Sequence, residues 1–229
     1  MITQTAVRSV PKAHPTVVMA SQTIGDTVSL SSYIDQFGTP MSFGANTEIY
    51  GEGEPAEYLY KVVGGAVRTC RILADGRRQI GSFYLPGEVF GLEPGDDHTF
   101  SAEATANSKI LVVKRSALLA LAGRDRTIAN ELWTTTCREL RIAQNHVLLL
   151  IKTAKERVVA FLLEMAERAQ SSGQIELPMS RQDIADYLGL TIETVSRTLT
   201  ELARTAAIDL PATRCVVLRN RAALARLQG

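Results

Sequence analysis

Apolar and polar positions change rhythm three times along this chain. Between residues 40 and 115, short apolar and β-branched runs alternate with turn residues. The stretch "EYLYKVVGGAVRTCRIL" holds two such runs broken by Gly64-Gly65, which reads as a hairpin. "RILADGRRQIGSFYL" repeats the device with Asp75-Gly76 as its turn, and "SFYLPGEVFGLE" breaks at Pro86-Gly87. "SAEATANSKILVVKR" ends in an apolar strand from Ile110 to Val113. Short strands at this spacing predict a small antiparallel barrel or roll.

From residue 116 the period lengthens to that of a helix. "SALLALAGRD" predicts a short helix or turn, and a long helix is expected from about Arg126 to Ile151. Trp133, Leu140 and Val147 fall at one heptad position, with Thr136, Ala143 and Leu150 at the other core position. That seam repeats every ~3.5 residues, the spacing by which two helices pair as a dimer. The same stripe could instead pack on the protein's own roll. Thr153 and Glu156 then form a T-x-x-E capping box, so a new helix starts there and the chain bends near Ile151. "SSGQ" at 171–174 ends it.

The third rhythm, residues 175–229, is two short amphipathic helices around Gly189. Ser180 caps the first with Asp183 three residues on, and Ile184, Ala185 and Leu188 point inward. Gly189 supplies the positive φ that a tight turn needs. Thr191 caps the second helix, whose buried stripe is Val195, Leu199 and Leu202. "DLPATRCVVL" reads as a β-hairpin. Helix, glycine turn, helix and hairpin make a winged helix-turn-helix.

Composition narrows the class. The 229 residues suit two modest domains, and no apolar run approaches the ~18–20 residues of a membrane span. The first thirty residues lack the compact apolar block of a signal peptide and, rich in Ser, Thr and Pro, read as a flexible tail. A cytoplasmic protein is expected, with no membrane partner. Cys70, Cys137 and Cys215 are odd in number and far apart, so they are expected to be small buried hydrophobes rather than a disulfide or metal framework. His14, His98 and His146 are equally scattered. No catalytic or metal-ligating residue stands out, and no cofactor is expected. Formal net charge is +1, but residues 1–149 carry −1 and residues 150–229 carry +2. From Arg197 onward six arginines face two acids, a basic end that suits nucleic acid or simply a solvated face.

Three stretches together, "YLYKVVGGAVRTCRILADGRRQIGSFYLPGEVFGL", "HVLLLIKTAKERVVAFLLEMA" and "SRQDIADYLGLTIETVSRTL", resemble the CRP/FNR superfamily of bacterial transcription regulators, and its FixK-type branch above all. The resemblance covers nearly everything after residue 40. Its most specific part is E-x-x-S-R on the second helix, here Glu193, Ser196 and Arg197. It implies an α+β fold: an N-terminal double-stranded β-roll of the cyclic-nucleotide-binding kind, a long dimerisation helix, and the C-terminal winged helix-turn-helix. The expected boundaries are a tail at 1–30, the roll at 31–124, the dimerisation helix at 125–151 and the winged domain at 152–229. It also implies a homodimer on double-stranded DNA, at a twofold TTGAT-N4-ATCAA type of site. RNA polymerase would be a partner, at genes for low-oxygen respiration, denitrification or nitrogen fixation.

Two departures matter. No cysteine precedes Cys70, so the N-terminal cysteine group of cluster-bearing relatives is missing. In "GEVFGLEPGDDHTFSAEA", Gly87 and Glu88 fit the cyclic-AMP cassette, but Phe100-Ser101 stands where it has Arg-Ser. A buried phosphate would lack its guanidinium, so cyclic AMP is not expected.

The resemblance assigns roles on the second helix. Arg197 would pair with guanine, Glu193 with cytosine N4, and Ser196 and Ile192 with thymine methyls or nearby edges. Ser180, Arg181 and Thr191, with Arg214 on the wing, would hold phosphates. Trp133, Thr136, Leu140, Ala143, Val147 and Leu150 would form the dimer interface. Glu193 also has a bland use: an acid in a first turn complements the helix dipole, and a Glu–Arg pair four apart contributes about 0.2–0.5 kcal/mol. Three rivals remain. One is a regulator on the same fold gated by a small effector in the roll. Another is a cupin-like metal enzyme, which needs clustered histidines where the roll has only His98. The third is a winged module that docks protein.

Overall fold

The computed structural model describes residues 29–171 and 173–227. Most of the expected tail lies outside the described residues. Its last two positions belong to a helix: the Ser29 hydroxyl accepts from Ser32 N and caps α1 (Leu30–Phe37), with Leu30 and Ile34 buried. Pattern reading passed over this helix because it is too short to show a period.

Eight strands follow: β1 (Thr39–Phe43), β2 (Glu48–Tyr50), β3 (Tyr58–Gly64), β4 (Val67–Ile72), β5 (Arg78–Tyr84), β6 (Val89–Phe90), β7 (Ser101–Ala104) and β8 (Ser108–Lys114). They form two antiparallel four-stranded sheets, β1-β8-β3-β6 and β2-β7-β4-β5. Residues of both sheets, among them Tyr50, Tyr60, Tyr84 and Phe90, make one core between them. Asp75-Gly76 is the hairpin turn expected, joining β4 to β5. Gly64-Gly65 is not: β3 pairs with β8 and β6, whereas β4 pairs with β5 and β7. The two glycines carry the chain from one sheet to the other. Gly65 has φ +79°, and a Cβ there would collide with Ser108. A crossing between sheets thus uses the same residue type as a tight turn, and the local sequence does not separate them.

The helical part is α2 (Arg115–Ala122), α3 (Arg126–Leu149) and α4 (Ala154–Arg168). Asp125 caps α3 through Thr127 N and Ile128 N, and the Thr153–Glu156 capping box starts α4 as expected. Two faces of α3 differ. One lies on the protein: Ile128 and Leu149 are buried, Glu131 accepts from Leu30 N at 2.5 Å, and Glu139 accepts from the Tyr84 hydroxyl at 3.0 Å. On the other face all six seam residues, Trp133, Thr136, Leu140, Ala143, Val147 and Leu150, are exposed. The stripe therefore does not pack on the roll of its own chain.

The C-terminal unit holds β9 (Gln174–Glu176), α5 (Arg181–Leu188), α6 (Ile192–Arg204), β10 (Ile208–Ala212), β11 (Cys215–Leu218) and α7 (Arg221–Arg226). Its sheet runs β10-β11-β9, so the wing has a third strand the pattern did not predict. One apolar core joins this unit to the roll: Ala66, Cys70, Ile80, Phe83 and Leu85 pack with residues of α4, α5, α6 and the wing. The expectation for the cysteines holds only for Cys70. Cys137 is exposed and Cys215 half-buried, because each sits where its element turns toward solvent.

Candidate nucleic-acid interface

Each element of the helix-turn-helix is held by a local device. Ser180 and Asp183 close a full capping box at the start of α5. Gly189 ends that helix at φ 62°, and its N–H donates to Ala185 O. Thr191 accepts from Thr194 N and starts α6. Ile184, Ala185 and Leu188, and then Val195, Leu199 and Leu202, are buried. Burying that face of α6 turns its other face outward.

The outward face carries the expected residues. Ile192, Glu193 and Arg197 are exposed and Ser196 is half-exposed. Ser196 and Arg197 line a shallow groove with Thr200, Glu201 and Arg204. Glu193, Arg197, Thr200 and Arg204 lie four, three and four residues apart, one stripe of the helix. Thr200 and Arg204 were missed in the sequence, although extending that spacing from Arg197 would have found them. Among the described residues Arg197 forms no hydrogen bond or ion pair, not even with Glu193. The Glu193 carboxyl titrates below its ordinary value, held down by its own backbone N–H, then the Thr191 hydroxyl, then the charge of Arg197. It is an ionised acceptor at neutral pH.

The expected phosphate donors differ in their freedom. Arg214 is exposed at the tip of the wing and Thr191 at the turn. Arg181 is half-buried, with Nη1 3.4 Å from Ser196 Oγ and its Nε unpartnered. Ser180 is committed: its hydroxyl donates to Asp183 Oδ2 at 2.8 Å. The expected phosphate contact at Ser180 thus shares its hydroxyl with the cap, where the hydroxyl oxygen accepts from Asp183 N at 3.1 Å.

Comparison with known proteins agrees with this geometry. A Crp-like helix-turn-helix domain matches residues 156–227, and a cyclic nucleotide-binding domain matches residues 40–125. The nitrogen fixation regulation protein FixK of Azorhizobium caulinodans is 52% identical over 196 residues, 83% of this chain and 79% of that protein. The transcriptional activator protein Anr of Pseudomonas aeruginosa is 33% identical, covering 89% of this chain and 88% of its own length. The solved structure of FixK2 from Bradyrhizobium japonicum superposes with a TM-score of 0.81 at 53% identity, over 84% of this chain and 98% of that one. The chain is a CRP/FNR-family transcription regulator of the FixK type.

In this FixK-type regulator Glu88 of the roll's cassette is bonded within the chain. Glu88 accepts from Leu85 N at 2.8 Å and from Arg168 of α4 at 2.7 and 3.1 Å. Arg168 also bonds Glu164 and the Phe83 carbonyl. The Phe100 ring packs on Gly81, 3.1 Å from where a Cβ would stand. His98 is buried, stacked on Tyr50 at 3.5 Å and 3.4 Å from Glu93. Among the described residues no group of three His, Cys, Asp or Glu could hold a metal ion, and no helix is long and apolar enough to cross a membrane. The relatives are regulators, and this chain is a DNA-binding regulator rather than an enzyme.

Proposed function

We propose that this regulator acts as a homodimer in the cytoplasm and activates transcription from a twofold duplex of the TTGAT-N4-ATCAA type. The row Glu193, Arg197, Thr200 and Arg204 on α6, bonded to nothing beyond its own helix and cap, carries the reading. In the major groove Arg197 donates to guanine O6 and N7, and Glu193 accepts from cytosine N4 on the other strand. Ser196 and Ile192 meet thymine methyls or neighbouring edges. Arg181, Thr191 and Arg214 hold phosphates, and Ser180 fixes the end of α5 on which Arg181 stands.

The exposed seam of Trp133, Thr136, Leu140, Ala143, Val147 and Leu150 pairs with its copy. Trp133 is 71% and Val147 63% exposed in the single chain, a large apolar cost unless covered. Pairing sets two reading helices about one DNA turn, ~34 Å, apart. The dimer recruits RNA polymerase at genes of low-oxygen respiration, denitrification or nitrogen fixation, and relatives named for nitrogen fixation regulation support the last.

Fluorescence anisotropy on the twofold duplex and on a random duplex tests this. Arg197→Ala is expected to cost about 1–3 kcal/mol on the specific duplex and little on the random one. Added cyclic AMP is expected to change neither, since Glu88 already has its partners. Equal affinity of the unaltered protein for both duplexes would sink the reading.

A further inference from the structure

Asp183 has two jobs, one for each carboxylate oxygen. Oδ2 accepts from the Ser180 backbone N–H at 2.9 Å and its hydroxyl at 2.8 Å, closing the capping box of α5. Oδ1 accepts from two arginines of the roll, Arg68 Nη1 at 2.8 Å and Arg78 Nη2 at 2.6 Å. The cap needs only the first oxygen. Arg78 also donates to Asp186, one helical turn on, through Nε at 2.9 Å. Arg68 is held from behind by Glu103, at 2.9 and 2.6 Å, and by Asn46 at 3.3 Å. Both Arg68 and Asp183 are buried.

Such a cluster is a poor way to gain stability. Removing charges from water costs several kcal/mol per ion, and an apolar replacement of equal volume often does as well. What a guanidinium–carboxylate cluster supplies is direction, because each bond works only in a narrow geometry. The apolar core between roll and winged unit is held by non-directional burial; these bonds add a fixed direction. They fasten the first turn of α5, and Arg181 is two residues from Asp183.

We propose that Arg68 and Arg78 are positioning residues for DNA reading: through Asp183 the roll sets the orientation at which α5 and α6 meet the duplex. The inference rests on the base-reading function proposed above. The roll then contributes to specific affinity without touching DNA. Non-specific binding, which needs no fixed orientation, is spared.

The experiment uses the full-length protein and has two arms. In the first, Arg78→Met is measured on the TTGAT-N4-ATCAA duplex and a random duplex, with Arg78→Lys beside it. Arg78→Met is expected to weaken specific binding about ten-fold, the scale of one charge-assisted hydrogen bond, and to leave random binding and the oligomeric state unchanged. Arg78→Lys is expected to recover part of the loss. A folded Arg78→Met with unaltered specific affinity overturns the proposal. The second arm needs no variant. If roll contacts favour DNA binding, DNA binding must favour the roll contacts by the same factor. Hydrogen exchange in β5 is therefore expected to slow with the specific duplex and not with the random one. Unchanged exchange in β5, while α6 becomes protected, also overturns it. Arg197→Ala separates the two failures. If it leaves discrimination intact, the reading surface is misassigned; if it abolishes discrimination while Arg78→Met does nothing, only the roll contact is.

Discussion

On α6, Glu193, Arg197, Thr200 and Arg204 form no bond beyond their own helix and its cap. In the roll, Glu88 gives both oxygens to partners inside the chain, and Phe100 covers Gly81. The difference teaches how to tell a live surface from a filled one. A polar side chain satisfied within the chain stabilises the fold and is costly to withdraw. One left to water is available to a partner at little cost. The two faces of α3 repeat the contrast, with Glu139 tied to Tyr84 on one side and Trp133, Leu140 and Val147 open on the other.

The contrast can be broken at either end. Arg168→Gln should have the largest effect, because it leaves Glu88 half-desolvated without its cation. Breaking such a pair costs about 3–5 kcal/mol, and the loss should appear in denaturant melts while the folded fraction keeps its DNA discrimination. Leu140→Glu on the open face should do the reverse. Monomer stability should change little, but sedimentation should show monomers that bind the twofold duplex at least about 2 kcal/mol more weakly, as for an interface hot spot. Glu193→Ala should relax preference at one C·G pair by about 1–3 kcal/mol, with stability within about 0.5 kcal/mol. Lost helix stability with intact preference would instead assign Glu193 to the helix dipole.

The smallest effect is a pH dependence. Burial, and then the nearby charge of Arg157, depresses the pKa of His146, whose ring lies 4.3 Å from that of Tyr187. Protonation then favours the unfolded chain. The stability His146 confers is full above ~6.5, the usual value in an unfolded chain, and is lost as pH falls through the lower folded value. Thermal melts should fall between pH 7.5 and 5.5, less steeply in His146→Gln, with no change in which duplex is preferred.

Much of this was legible in the sequence, where the signals are local. The caps at Thr153, Ser180 and Thr191, the turn at Gly189 and the stripes of α5 and α6 depend on residues within one or two turns. The stripe that α3 leaves exposed was legible because a 3.5-residue repeat survives over a long helix. Contacts made across the chain were not. Nothing near Asp183 announces Arg68, 115 residues earlier, or marks Glu88 as the partner of Arg168. The sheet crossing at Gly64-Gly65 and the strand β9 failed for the same reason, since pairing partners are chosen in three dimensions. Glu193 stands between these cases. The family motif suggests the role proposed for it, and its exposure leaves it available to a partner.

The core that runs from Phe83 of the roll to Phe161 and Tyr187 has a thermodynamic consequence. Phe83 lies 5.3 Å from Tyr187 and 6.1 Å from Phe161, ring to ring, so the apolar core of the winged unit continues into the roll. Separating them would bare aromatic surface on both sides at ~25 cal/mol per Å². The two units are therefore expected to melt together, and a defect planted at this contact in the sensor-like half to lower the stability of the DNA-binding half as well.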